Sequence, residues 1–122
     1  MRDVGRGQKV FDHGPVTGRV WLLEGADDVL VLLDEFDRAV EQGTEPPKVI
    51  AVVRDAGATF LAPLYHDLTG VICTAGTPRS HIGIVTRDFH VPCVMGCELS
   101  AELADGDTVE LDCSGEEGVV RG

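Results

Sequence analysis

Short apolar runs, each bounded by glycine, proline or acidic turns, limit what this chain can fold into. Val16 to Leu23, Lys48 to Val53, Gly70 to Thr74, Val91 to Met95, Thr108 to Asp112 and Gly118 to Arg121 read as strands, rich in β-branched residues. A helical period is sustained at Val29, Leu32, Leu33, Phe36 and Val40, with Asp34, Asp37, Arg38 and Glu41 on the opposite face. Asp27 or Asp28 is placed to cap this helix. Gly43 is placed to end it, and Pro46-Pro47 forbids its continuation. Val-Leu-Val-Leu-Leu at 29–33 also fits a strand, but the length of the periodic pattern favours the helix. Residues 59–68 read as a loop with one helical turn around Leu61–His66. Strands and a few helices alternate irregularly, which gives a mixed α and β class.

At 122 residues the chain is one domain, long enough to bury roughly two-thirds of its unfolded surface without a staple. Lys and Arg number 10 against 21 Asp and Glu, a net charge of −11. That balance argues against a reader of the nucleic-acid backbone and against an anionic membrane surface. No apolar run approaches the ~18 residues of a membrane span, and Met1 to Gly7 lacks a signal-peptide core. The expectation is a soluble, cytoplasmic protein whose Cys73, Cys93, Cys97 and Cys113 are reduced core residues. Residues 1–14, polar and glycine-rich, are expected as a partly mobile N-terminal segment ahead of a domain at 15–122.

The most informative stretch is Thr74 to Asp88. A strand ends near Thr74, Ala75-Gly76 is a flexible corner, and Thr77-Pro78 reads as a helix start, a hydroxyl N-cap followed by proline at the first helical position. Ser80 is an alternative cap. Either way His81 falls in the first turn, with Ile82, Val85 and Phe89 as the expected buried stripe. Gly83 is expected to permit close packing against a neighbour. A helix N-terminus offers free N–H groups and a partial positive charge, and so favours an anion such as phosphate. Neutral imidazole, the main form of a free histidine side chain near pH 7, is a competent nucleophile towards phosphorus. A covalent phosphohistidine at His81, steadied by Arg79, is the chemistry this arrangement suggests. On geometry alone, a lone histidine beside a helix start is more often a capping or surface residue.

Ser80-His81, then Ile84-Val85-Thr86-Arg87, then Val91-Pro92-Cys93-Val94-Met95-Gly96 resemble, in order and spacing, the phosphohistidine signature of the mobile (swivelling) domain of PEP-utilising enzymes. That family includes phosphoenolpyruvate synthase, pyruvate phosphate dikinase and rifampin phosphotransferase. The resemblance extends to Gly14–Val20 as an opening strand, to Val49–Val53 and Leu68–Thr74 as the strands before the signature, and to Leu103–Val109 and Glu117–Val120 as a closing hairpin. The helix at 28–42 looks like an insertion. The chain departs from the pattern in two places: Thr77 stands where a second glycine is usual and Arg79 where threonine is usual.

The resemblance implies a swivelling β/β/α domain with a sheet-rich core. It implies that His81 carries a phosphoryl group, with Gly76, Thr77, Arg79, Ser80 and Arg87 orienting the ring or stabilising the phosphate. No Gly-x-x-x-x-Gly-Lys-Ser/Thr loop is present. The domain is therefore expected to bind no cofactor alone, Mg-ATP residing on a separate ATP-grasp subunit or domain and the acceptor, PEP/pyruvate-like or other, on another. The chain would then be the phosphohistidine component of a multi-subunit phosphotransferase, inactive by itself. Two other readings stand beside this one. A swivelling domain that has lost transfer would be a non-catalytic interaction module. His90, Cys93 and Cys97 resemble a zinc half-site or a thiol site, although the close Cys-x-x-Cys pair is absent. His13, His66, Asp55, Asp67 and Asp88 have no partner pattern and read as loop or turn residues.

Overall fold

A computed structural model describes residues 1–122. In chain order it contains β1 (Asp3–Lys9), β2 (His13–Leu22), α1 (Ala26–Gln42), β3 (Val49–Val53), a 3-10 turn at Ala62–Leu64, β4 (Gly70–Cys73), α2 (His81–Asp88), β5 (Cys93–Leu99), β6 (Thr108–Cys113) and β7 (Gly118–Arg121). The strands close into a barrel in the order β1-β5-β4-β3-β2-β6-β7, with β7 returning to β1. The class is the sheet-rich α/β expected.

The barrel has two halves of different character. β2, β3, β4 and β5 pair in parallel, and the remaining pairs are antiparallel. Parallel strands need crossovers, and those crossovers cover the outer face. Every residue of β3 and β4 is accordingly buried. The period-2 alternation of side chains sorts them into two clusters. Val20, Ile50, Val52, Ile72, Val94 and Leu111 point into the barrel, joined by Val4 and Val120 from β1 and β7. Val49, Ala51, Val53, Val71 and Cys73 point outward under Val29, Leu32 and Phe36 of α1, Leu61 and Leu64 of the 3-10 turn, and Ile82 of α2. The antiparallel half instead alternates buried with partly exposed positions, as β6 and β7 show.

α1 forms where the periodicity placed it. Neither Asp27 nor Asp28 is its N-cap, which is Gly25 without a side-chain capping bond; Asp28, in the first turn, accepts the Glu24 amide at 2.7 Å. Gly43 ends the helix at φ 67°, in the left-handed region that favours glycine, with its N–H on Val40 O at 3.2 Å.

Three expectations need correction. Residues 1–14 are not a loose segment: Asp3–Lys9 is β1, hydrogen-bonded to both β5 and β7. Its glycines mark close approach rather than mobility, since a Cβ at Gly7 would lie 2.6 Å from Met95 O and 2.8 Å from Val94 Cγ1. Phe89 does not complete the buried stripe of α2. It lies just past the helix end, 39% exposed, stacked 5.5 Å from Tyr65, and Thr86 takes the buried position. Val40, on the apolar face by its spacing, is 78% exposed, and Ala39 takes the buried position of α1.

Two outcomes follow from this packing. Ile72→Ala, emptying a fully buried position inside the barrel, lowers stability by about 2–5 kcal/mol in urea denaturation, because the closed sheet cannot collapse onto the cavity. The Asp112 carboxyl accepts the Ser114 hydroxyl at 2.6 Å, the Ser114 amide at 2.9 Å and Arg121 Nη1 at 2.9 Å, and these bonds pull it down to about 2. Its folded value lies below its unfolded one, so its contribution is full above about pH 4 and is lost as the pH falls toward 2. Asp112→Asn therefore destabilises the protein at pH 7, and denaturation curves of variant and wild type converge as the pH approaches 2.

Candidate functional site

β4 ends at Cys73, and the chain turns through residues 74–80 at the carboxyl ends of the parallel strands, the usual place for a ligand site in such a sheet. Two backbone hydrogen bonds fasten this loop to its neighbours. Ala75 O accepts the Gly96 amide of β5 at 3.0 Å, and Ala56 O, in the turn after β3, accepts the Ile82 amide at 3.0 Å. Gly76 adopts φ 73°, and a Cβ there would lie 2.4 Å from Ala56 Cβ, so no other residue fits without moving the turn after β3. Gly96 adopts φ 58°, and a Cβ there would meet Gly76 O at 2.9 Å.

α2 begins three residues later than the Thr77-Pro78 reading places it. Ser80 is the N-cap residue and His81 the first helical residue, the alternative cap of the two considered. Thr77 to Ser80 form a turn instead. Ser80 N–H donates to Thr77 O at 2.9 Å, Thr77 N–H to Ser80 Oγ at 3.0 Å, and Arg79 N–H to Thr77 Oγ1 at 3.2 Å. These hydroxyl–backbone bonds compete with helix extension and win. Gly83 does permit close packing, and the neighbour is the loop itself, because a Cβ at Gly83 would lie 2.4 Å from Pro78 O.

The turn leaves a particular set of groups free. Ser80 Oγ is engaged with Thr77, so it makes no capping bond to the helix. Ile82 N–H is taken by Ala56, and the amides of His81 and Gly83 have no protein acceptor. The His81 ring is exposed and makes no hydrogen bond with the protein. Arg79 is exposed, and its guanidinium pairs with no carboxylate. One corner thus holds an imidazole, the open N–H of His81 and a free cation, a combination suited to an anion.

Of the residues singled out from the sequence, Gly76, Thr77, Arg79, Ser80 and His81 are brought together here. Arg87 is not. It lies in the last turn of α2, and its Nη2 donates to Val10 O at 2.8 Å, tying the helix end to the β1–β2 connection. Ala56 and Ala75 hold the site through their carbonyls alone and carry no side-chain signal that could have found them.

The zinc or thiol reading fails on geometry. Gly96 carries a β-bulge in β5, so Cys93 points into the outer cluster and Cys97 into the barrel. Two thiols on opposite faces of a sheet cannot converge on one ion. All four cysteines are free and buried, and burial pushes the Cys93 thiol up to about 12 and those of Cys97 and Cys113 up to about 11. Such thiols are poor nucleophiles. His90 and His13 edge-stack on Phe11 at 6.0 and 6.1 Å, and His66 on Phe89 at 4.7 Å. Asp55 closes its own turn through Gly57 N–H at 2.9 Å.

Comparison with known proteins gives a consistent result. The sequence profile of "PEP-utilising enzyme, mobile domain" matches residues 45–116, more than half of the chain, and the matched segment begins after α1. A Salmonella typhimurium protein described as "Phosphoenolpyruvate-dependent phosphotransferase system" is 32% identical over 98 residues, covering 75% of this chain and 13% of the relative. Its Escherichia coli counterpart is 34% identical over 68 residues, covering 55% and 9%. "Prodigiosin synthesizing transferase PigC" of Serratia marcescens is 32% identical over 85 residues, covering 69% and 9%. The chain thus spans between 9% and 13% of the length of these relatives. With His81 and its loop inside the matched segment, the chain belongs to the family of PEP-utilising enzyme mobile domains and is, in general terms, a phosphoryl-carrier domain.

Proposed function

We propose that His81 is the phosphoryl carrier: one of its ring nitrogens attacks a nucleotide phosphorus, an N–P bond forms, and the P–O bond to the leaving phosphate or nucleotide breaks. The phosphoryl group then passes to an acceptor oxygen, and the imidazole is regenerated. The observation that carries this reading is an exposed imidazole on the first residue of α2, beside the unbonded N–H of His81 and the unpaired guanidinium of Arg79. Each of these donors favours the negative charge that arrives with the phosphoryl group, and none has to break a protein bond to reach it. Thr77 and Ser80 hold the turn, and Gly76 and Gly83 let it close.

The domain has no phosphate-cradling glycine loop of its own, so Mg-ATP is assigned to a separate ATP-grasp subunit or domain and the acceptor to another. The carrier moves between them, and alone it completes no reaction. ATP chemistry and four free thiols agree with a cytoplasmic location, and no helix is long and apolar enough to cross a membrane. The departures at Thr77 and Arg79 favour one competing reading, an interaction module that has lost transfer.

Incubation with Mg-ATP and an ATP-grasp subunit proven active on another histidine domain separates the two. The carrier reading expects a gain of about 80 Da in intact mass, labile in acid, stable in alkali and absent from His81→Ala. No gain overturns it in favour of the interaction module. Arg79→Ala should slow single-turnover phosphorylation roughly ten- to a hundredfold, while the urea midpoint stays unchanged because the side chain is exposed and makes no hydrogen bond or ion pair. An unchanged rate removes Arg79 from the site.

A further inference from the structure

We propose a second anion site on this domain, for a small phosphate-bearing molecule, formed by Arg19 and Lys48 at the end of the barrel opposite His81. It does not depend on the carrier reading. Lys48 immediately precedes β3, whereas the His81 loop follows β4. Because β3 and β4 run parallel, the two places lie at opposite ends of the same strands.

Among 10 basic side chains in a chain of net charge −11, Arg6, Lys9, Arg38, Arg54 and Arg121 are each paired with a carboxylate, and Arg87 is bonded to a carbonyl. Arg19 and Lys48 are both exposed and both unpaired, and they share a cavity of about 410 Å³ with Thr17, Gly18, Pro47 and Thr108. The other basic cavities contain their own neutralising acids. Arg54 shares its two cavities with Glu102 and Asp105 and with Glu24 and Asp55. Arg6 and Arg121 share theirs with Asp3, Glu98, Asp112 and Glu117. The Arg19 cavity alone among them has no carboxylate in its lining.

The backbone enforces this juxtaposition. Arg19 N–H donates to Lys48 O at 2.9 Å, and Arg19 pairs with Val49 across the parallel ladder and with Thr108 across the antiparallel one. Gly18 is the residue that lets the two segments meet, since a Cβ there would lie 2.9 Å from Lys48 O. The hydroxyls of Thr17 and Thr108 make no hydrogen bond within the protein and add two donors. Two cations lining one cavity with no carboxylate in its walls can both contribute to holding a dianion. A guanidinium fork, an ammonium and two hydroxyls suit a phosphate monoester or a diphosphate better than a single carboxylate.

Titration of 15N-labelled protein with inorganic phosphate, then pyrophosphate, with chloride at matched ionic strength as the control, tests the site. Saturable shifts of the amides of residues 17–19, 48 and 108 are expected. They should persist in His81→Ala, and the apparent Kd should rise roughly tenfold or more in Arg19→Gln/Lys48→Gln. Both side chains are exposed, so that variant keeps its fold, and its unchanged spectrum elsewhere verifies this. Absence of saturable shifts at these residues, or shifts reproduced by chloride, overturns the proposal. So do shifts confined to residues 76–83 and lost in His81→Ala, which would place the only anion site at the histidine loop.

Discussion

Backbone hydrogen bonds to neighbouring segments fix the histidine corner on the barrel. Ile82 N–H to Ala56 O fastens the start of α2 to the turn after β3, and Gly96 N–H to Ala75 O fastens the loop to β5. Ala56 lies in the turn after β3 and Gly96 in β5, so both anchors reach the parallel, doubly covered half of the barrel. The rigidity of that half, with β3 and β4 wholly buried, is thereby transmitted to an exposed imidazole. The two glycines at positive φ, Gly76 and Gly96, are the conformational requirement for this arrangement. The fold thus presents a free side chain on a fixed backbone.

Much of this was legible in the sequence, and the parts that were not share a physical cause. Strands flanked by turn residues declared themselves through β-branched runs, and α1 through its 3.6-residue period and Gly43. The histidine corner was legible as a strand–loop–helix junction because hydroxyl, proline and glycine residues punctuate it. Its detail was not. Whether Thr77 or Ser80 caps the helix depends on where each hydroxyl finds a backbone partner, and Ser80 Oγ finds Thr77 N–H across the turn. β1 was misread because Gly5 and Gly7 carry two meanings in a sequence, looseness or close contact, and only the neighbouring Val94, Met95 and Leu99 decide between them. Arg87 looked like a site residue by its place in the motif. Its role is fixed by a carbonyl 77 residues earlier in the chain.

Charge is distributed with the same division of labour. Acidic residues dominate the surface, and half of the ten bases are spent on ion pairs with them, such as Arg121 with Asp3, Glu110 and Asp112. Exposed pairs of this kind add little stability singly, but they consume cations. Those left over are therefore conspicuous: Arg79 beside the imidazole, Arg19 with Lys48 at the far end, and Arg2 at the terminus. Against a field of net −11, an anionic ligand is repelled from most of the surface and tolerated only near such residues.

Closure of the barrel bears on how such a domain keeps company. With β7 returned to β1, every strand has a neighbour on both sides, and no row of backbone donors and acceptors is left open for another chain to extend. Any partner must grip side chains and loop ends alone. Association by adding a strand to the sheet is thereby closed to this domain.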